Sequence, residues 1–293
     1  MAGGNQVSPP AASPAPPVGP RELPQSTDQD SILRFEHVTV RFEEVVALND
    51  VSFDVRRGET RIILGAAGSG KSVLLKAAIG LVRVASGQVF LFDQPATNLP
   101  ETEMYEIRSK VGMAFQESAL FDSMTIAQNV AYPLLNQPSI RRKPDDARKS
   151  VKEALEFVEL GDTLQKFPSE LSGGMRRRAA IARAVVTKPP LLLYDSPTAG
   201  LDPITAHTII ELIIKERDLD ATTALVVTHR YQDGSLVANF RYNSHSGSLD
   251  PFREATSTRF MVMREGKLIF EGDQDELEAS RDPYIVKFVK HAE

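Results

Sequence analysis

The chain has 293 residues, 42% hydrophobic and 25% charged, enough for one large domain with a buried core. Its 34 basic and 39 acidic residues leave a net charge of −5, which argues against a surface that coats nucleic acid. Cysteine is absent, which excludes disulfides, thiolate metal sites and cysteine nucleophiles.

Residues 1–30 are rich in Pro, Ala, Gly and Ser and are expected to form a disordered tail, with a linker or docking peptide as the alternative. From Ile32 onward, Leu33, Phe35, Val38 and Val40 and then Val51, Phe53 and Val55 have strand character. A buried strand at residues 61–64 runs into a glycine-rich loop and a helix over residues 71–78. Between about residues 96 and 187 the pattern is mostly helical. One helix there starts near Asp145 and Asp146, carries Val151, Leu155 and Val158 on its apolar face, and is expected to end at Gly161. Residues 191–194 and 225–227 read as strands buried on both faces, separated by a helix that begins at Pro203 with Asp202 as its cap. The polar stretch 241–248, within an insertion over residues 231–258, reads as a surface loop. Residues 260–263 and 268–270 form a hairpin about Gly266, and Asp282-Pro283 opens a last amphipathic helix. No apolar run approaches the ~18 residues that span a bilayer, and the start lacks a secretory signal, so the chain is expected in the cytoplasm.

Gly65-Ala66-Ala67-Gly68-Ser69-Gly70-Lys71-Ser72 matches the phosphate-loop pattern in full. Its glycines let backbone N–H groups converge on phosphate oxygens, Lys71 brings charge to the β- and γ-phosphates, and Ser72 brings a hydroxyl to Mg²⁺. An apolar strand ending in Asp195 supplies the carboxylate that holds Mg²⁺ opposite such a loop.

Leu171-Ser172-Gly173-Gly174-Met175 closely resembles the signature sequence of ABC-type ATPases and lies between the two phosphate-site motifs, as it does in that family. Gln116 is similar to the family's Q-loop residue, Ala199-Gly200-Leu201-Asp202 to its D-loop, and His229 to its switch histidine. Phe42 sits where the adenine-stacking aromatic belongs. The resemblance runs from about residue 32 to residue 272. It implies an α/β P-loop NTPase with a RecA-like core, an antiparallel β subdomain and an inserted helical subdomain. The ATP-binding domain would cover residues 31–275, the helical subdomain about residues 97–187 and a C-terminal helix residues 276–293. It also implies a homodimer, head to tail, in which Ser172, Gly173 and Gly174 face the γ-phosphate of ATP on the opposite subunit. Gln116 would contact Mg²⁺ and the attacking water, and His229 would hydrogen-bond the γ-phosphate. Ser172 and Asp202 have an alternative reading as helix caps, and Phe42 as a core residue. The implied partner is an integral membrane permease, which would place the chain peripherally on the cytoplasmic face of the inner membrane. Single-chain length and the lack of heptads argue against the ribosome- and DNA-acting members.

Two departures matter. Ser196 stands where most members carry the glutamate that polarises the attacking water, and a lost general base costs roughly 10²–10⁴-fold in rate. Slow hydrolysis, substitution by another carboxylate such as Glu117, and an ATP-gated regulatory module with little hydrolysis are the three explanations. The run from Gly174 through Met175, Arg176, Arg177 and Arg178 to Ala184, with the Q-loop stretch from Gln116 to Thr125, is similar to the Mla/Mce-type lipid-transport ATPases. That likeness implies transport of phospholipid, with an ABC transporter for another substrate as the alternative, and an MCE-type lipid-binding partner protein. In that group the C-terminal region can contact a small regulatory subunit, for which no motif stands here.

Overall fold

The computed structural model describes residues 31–252 and 257–290; the expected tail at residues 1–30 lies outside them. Strands β1 (Ser31–Phe42) and β2 (Val45–Arg56) pair antiparallel, with Phe35 opposite Phe53 and Val38 opposite Val51. Register shifts along β1 keep its apolar side chains inward despite the interruption at His37, and Phe35 stacks on Phe53 with ring centroids 4.8 Å apart. Strand β3 (Thr60–Leu64) leaves this sheet, and helix α1 (Lys71–Ala78) follows it. Strands β4 (Ser86–Leu91) and β5 (Gln94–Pro95) return to the first sheet, whose order is β2-β1-β4-β5.

Next come α2 (Glu101–Arg108), β6 (Val111–Ala114), α3 (Ile126–Asn136), α4 (Pro144–Phe157), α5 (Gly173–Val185), β7 (Leu191–Asp195), α6 (Pro203–Asp220) and β8 (Thr223–Thr228). Helix α7 (Tyr231–Asn239), β9 (Phe240–Asn243), β10 (Ser248–Pro251), β11 (Thr258–Arg264), β12 (Lys267–Gly272), α8 (Gln274–Glu278) and α9 (Pro283–Lys290) complete the order. The second sheet runs β12-β11-β3-β8-β7-β6, parallel throughout except for the edge strand β12.

Alternation along the parallel strands separates two cores. Ile63, Leu191, Leu193, Leu225 and Val227 face the first sheet and α1. Ile62, Leu64, Leu192, Tyr194 and Val226 face the helices α5 and α6. The fold is an α/β domain with an antiparallel sheet beside a mainly parallel one.

Three expectations change. The stretch read as mostly helical contains strand β6, short enough to escape a periodicity test and broken by Gly112. A Cβ at Gly112 would lie 2.3 Å from the Ala184 carbonyl and 2.6 Å from Leu192 Cδ2, so only glycine lets α5 rest on this strand. Helix α4 stops at Val158 rather than Gly161: Glu159 takes the left-handed conformation (φ 57), and buried Leu160 returns its N–H to the Leu155 carbonyl at 2.7 Å. The polar stretch 241–248 is only in part a loop: residues 244–247 form the turn of the hairpin β9–β10, which is tied to α6 where Tyr242 N–H donates to Asp218 and Arg217 donates to the Phe240 carbonyl.

Candidate nucleotide site

Strands β3, β8 and β7 lie side by side, so the segments that follow them leave from one edge of the sheet. Residues 65–70 follow β3. Gly70 precedes α1 at φ 103, and a Cβ there would meet the Ala47 carbonyl at 2.5 Å, so the tip of the β1–β2 hairpin closes over the loop only because this position is glycine. Gly65, Ala66, Ala67, Gly68 and Ser69 form the rest of the loop. The Lys71 ammonium curls back into it and donates to the carbonyls of Gly65 and Ala66, each at 2.8 Å, and to Ser69 Oγ at 3.3 Å. Burial lowers the Lys71 pKa, and the Asp195 carboxylate partly offsets that shift.

Asp195 ends β7. Its carboxylate accepts a hydrogen bond from Ser72 Oγ at 2.8 Å and faces Ser196 Oγ at 3.5 Å. A hydroxyl beside one carboxylate is an oxygen donor set that fits Mg²⁺, which binds through one or two carboxylates together with phosphates and water. Gln116, the third expected contact, follows β6 with its side chain exposed. Ser196 is nearly buried and sits in the left-handed region at φ 50, its N–H bonded to the Val227 carbonyl at 2.9 Å. His229 follows β8 and is exposed.

Other expected residues stand apart from this cluster. Ser172 caps α5, accepting from Met175 N–H at 3.2 Å, and Gly173 beside it has open space where a Cβ would be. Gly174 lies on Thr205: a Cβ there would meet its methyl at 2.4 Å. Asp202 caps α6 through Thr205, whose N–H and hydroxyl both bond its carboxylate and lower its pKa. Phe42 is 46% exposed at the end of β1, which removes its reading as a core residue.

Residues without a motif complete the cluster. Asp233 of α7 is buried and accepts from Thr198, two residues past Ser196, and from Thr228, the neighbour of His229, the latter at 2.9 Å. One carboxylate thus ties the segment after β7 to the segment after β8. Arg177 of α5 donates to the Ala199 carbonyl at 3.0 Å; burial lowers its pKa, with Glu117 and Asp195 opposing. Glu117, the substitute carboxylate suggested for Ser196, therefore acts on the same guanidinium as Asp195. Tyr284 of α9 hydrogen-bonds the N–H of Ala66 at 2.9 Å. Polarity alone marked Asp233, and no sequence signal marked Tyr284.

A protein-family model described as "ABC transporter" matches residues 48–199. A methionine import ATP-binding protein, MetN 2 of Rhodococcus jostii, is 41% identical over 68% of this chain and 58% of its own length. MetN of Bifidobacterium longum is 35% identical over 90% of this chain and 62% of its own length. The probable ribonucleotide transport ATP-binding protein mkl of Mycobacterium leprae is 41% identical over 61% of this chain and 51% of its own length. The chain thus spans about half to six-tenths of the curated relatives it matches. Among solved structures, a dimeric post-hydrolysis state of an ATP-binding cassette bound to ADP and Pi superposes with a TM-score of 0.70 at 30% identity, over 82% of this chain and 98% of that one. The cbiO1 protein of Clostridium perfringens, part of a cbiONQ transporter complex, gives 0.71 at 27% identity over 89% and 94%.

Proposed function

The chain belongs to the ABC transporter family, and we propose that it is the ATP-binding and ATP-hydrolysing part of a transporter, acting as a head-to-tail dimer on an integral membrane permease. The observation that carries this reading is the placing of two hydrogen-bonded groups side by side at the ends of β3 and β7: Lys71, curled onto the carbonyls of its loop, and its neighbour Ser72, bonded to Asp195. Among the described residues no helix is long and apolar enough to cross a membrane.

In the proposed reaction the oxygen of a water bonds to the γ-phosphorus while the bond to the bridging oxygen breaks, its electron pair leaving with ADP, and the water's proton passes to an oxygen of the released phosphate and on to solvent. The Lys71 ammonium gives up its loop carbonyls for the phosphate oxygens, whose charge it stabilises. Ser72 and Asp195 would hold Mg²⁺, which supplies further neutralising charge to the phosphates. His229 contacts the γ-phosphate and Phe42 the adenine; Ser172, Gly173 and Gly174 cap the nucleotide of the partner chain. Ser196 cannot take the water's proton at neutral pH, so this ATPase is slow for its family. Phosphate release from ATP by the purified chain tests the reading: release lost in Lys71→Ala supports it, and equal release by native and variant chains overturns it.

Relatives named for methionine import and ribonucleotide transport favour a small polar solute as cargo. The lipid reading, with an MCE-type partner and a small regulatory subunit, rests on the resemblance carried by Met175 and the arginines that follow and by the stretch from Gln116 to Thr125, and none of the relatives named above bears a lipid name. ATP-dependent uptake of labelled methionine, set against lipid transfer between vesicles by the same permease complex, separates the two.

A further inference from the structure

Helix α9 reaches the phosphate loop through one atom. The Tyr284 hydroxyl donates to the Met263 carbonyl at 3.1 Å and accepts from the Ala66 N–H at 2.9 Å. That N–H belongs to the same planar peptide unit as the Gly65 carbonyl, which accepts from the Lys71 ammonium at 2.8 Å. One rigid plane therefore has α9 on its N–H and the phosphate-binding lysine on its carbonyl. Gly65 has no Cβ to hold the plane, and none would fit: it would lie 2.5 Å from the Met263 carbonyl.

The tyrosine itself is fixed from several sides. Asp282 accepts from the Tyr284 N–H at 2.7 Å. The Arg264 guanidinium lies 5.5 Å from the ring centroid and pairs with Asp282 at 3.9 Å. Phe288 meets the ring edge-on with centroids 5.2 Å apart. This is far more support than a surface ring needs to pack, and it points the hydroxyl at the loop.

We propose that Tyr284 is a positioning residue for nucleotide binding: it fixes the peptide plane between Gly65 and Ala66, which stays held when the Lys71 ammonium leaves the Gly65 carbonyl for phosphate, and so preorganises the loop. The inference builds on the ATP-site reading above. Removing the hydroxyl frees the plane to turn, and the loop must then be ordered by the nucleotide itself. Asp195, Ser196 and His229 make no contact with this hydroxyl, so the chemical step is left alone.

The test compares the native full chain, Tyr284→Phe and Phe288→Leu, the last disturbing α9 packing while keeping the hydroxyl. ATP affinity is read by titration calorimetry, kcat by phosphate release at saturating ATP, and nucleotide-free stability by thermal melting. Tyr284→Phe is expected to raise the Kd for ATP about three- to tenfold, the range of one lost hydrogen bond, and to change kcat far less. Phe288→Leu, which loosens the ring but keeps the hydroxyl, is expected to shift the melting and to raise Kd less than Tyr284→Phe does. Unchanged Kd in Tyr284→Phe, or a fall in kcat without a change in Kd, would overturn the inference while ATP binding by the native chain stands. A native chain that binds no ATP would remove the functional reading and this inference with it.

Discussion

The candidate site has two unlike halves. Around β3, β7 and β8 the polar groups interlock within the chain: Lys71 with the loop carbonyls, Ser72 with Asp195, Thr198 and Thr228 with Asp233. At the start of α5 and along the rim, Gly173 faces open space and Phe42, Gln116 and His229 are exposed. An interlocked half holds a ligand on its own; an outward half gains a ligand only when something is brought to it. The contrast is what a sandwich of two nucleotides between two chains requires of each chain.

The sharpest way to break the comparison is to damage one half and watch the other. Lys71→Ala removes the charge of the interlocked half and should lower ATP affinity and turnover by about 10³-fold, measured by calorimetry and phosphate release. Gly173→Asp adds a negative side chain where nothing of this chain stands. It should lower turnover about 10²-fold while leaving ATP affinity of the single chain near native, since its target is the partner's nucleotide. Loss of affinity in that variant would mean that the two halves serve one nucleotide in one chain. Ser196→Glu should raise turnover up to about 10²-fold, less if the left-handed backbone at this position turns the carboxylate away from the water.

A smaller effect lies beneath the interlocked half. Glu216 of α6 is buried near Tyr194, and burial, reinforced by Asp220, raises its pKa to about 7 from 4.5. The folded chain then binds a proton that the unfolded chain has released. Stability from this group is greatest below the unfolded pKa and falls as pH rises towards the folded one, by roughly 2 kcal/mol between about pH 5 and pH 8. Denaturant midpoints across that range should show the slope in the native chain and lose most of it in Glu216→Gln.

Legibility in sequence follows the same division. The phosphate loop is contiguous, and Asp195 ends an uninterrupted apolar run, so adjacent residues announced both. Asp233 acts across 35 positions on Thr198, and Tyr284 across 218 on Ala66; a lone acid and a lone tyrosine carry no spacing that points to such partners. Strand β6 exists because the sheet edge and α5 meet there, not because its four residues favour extension. The hairpin β9–β10 read as a loop because its strands are polar, and the groups that pin it belong to Arg217 and Asp218 of a distant helix. The lipid expectation leaned on a few side chains around Met175, which describe kinship within a family more than chemistry at a site.

Gly112 gives the inserted helices their mechanical character. With no side chain between strand and helix, α5 bears almost directly on the edge of the sheet, and Arg183 clamps the same helix to the carbonyls of Ser118 and Ala119 just past Gln116. Such a joint leaves little compliance at its fulcrum, so a load applied to α3 or α4 would turn α5 as a lever whose long end carries Ser172 and whose axle lies one strand away from Asp195.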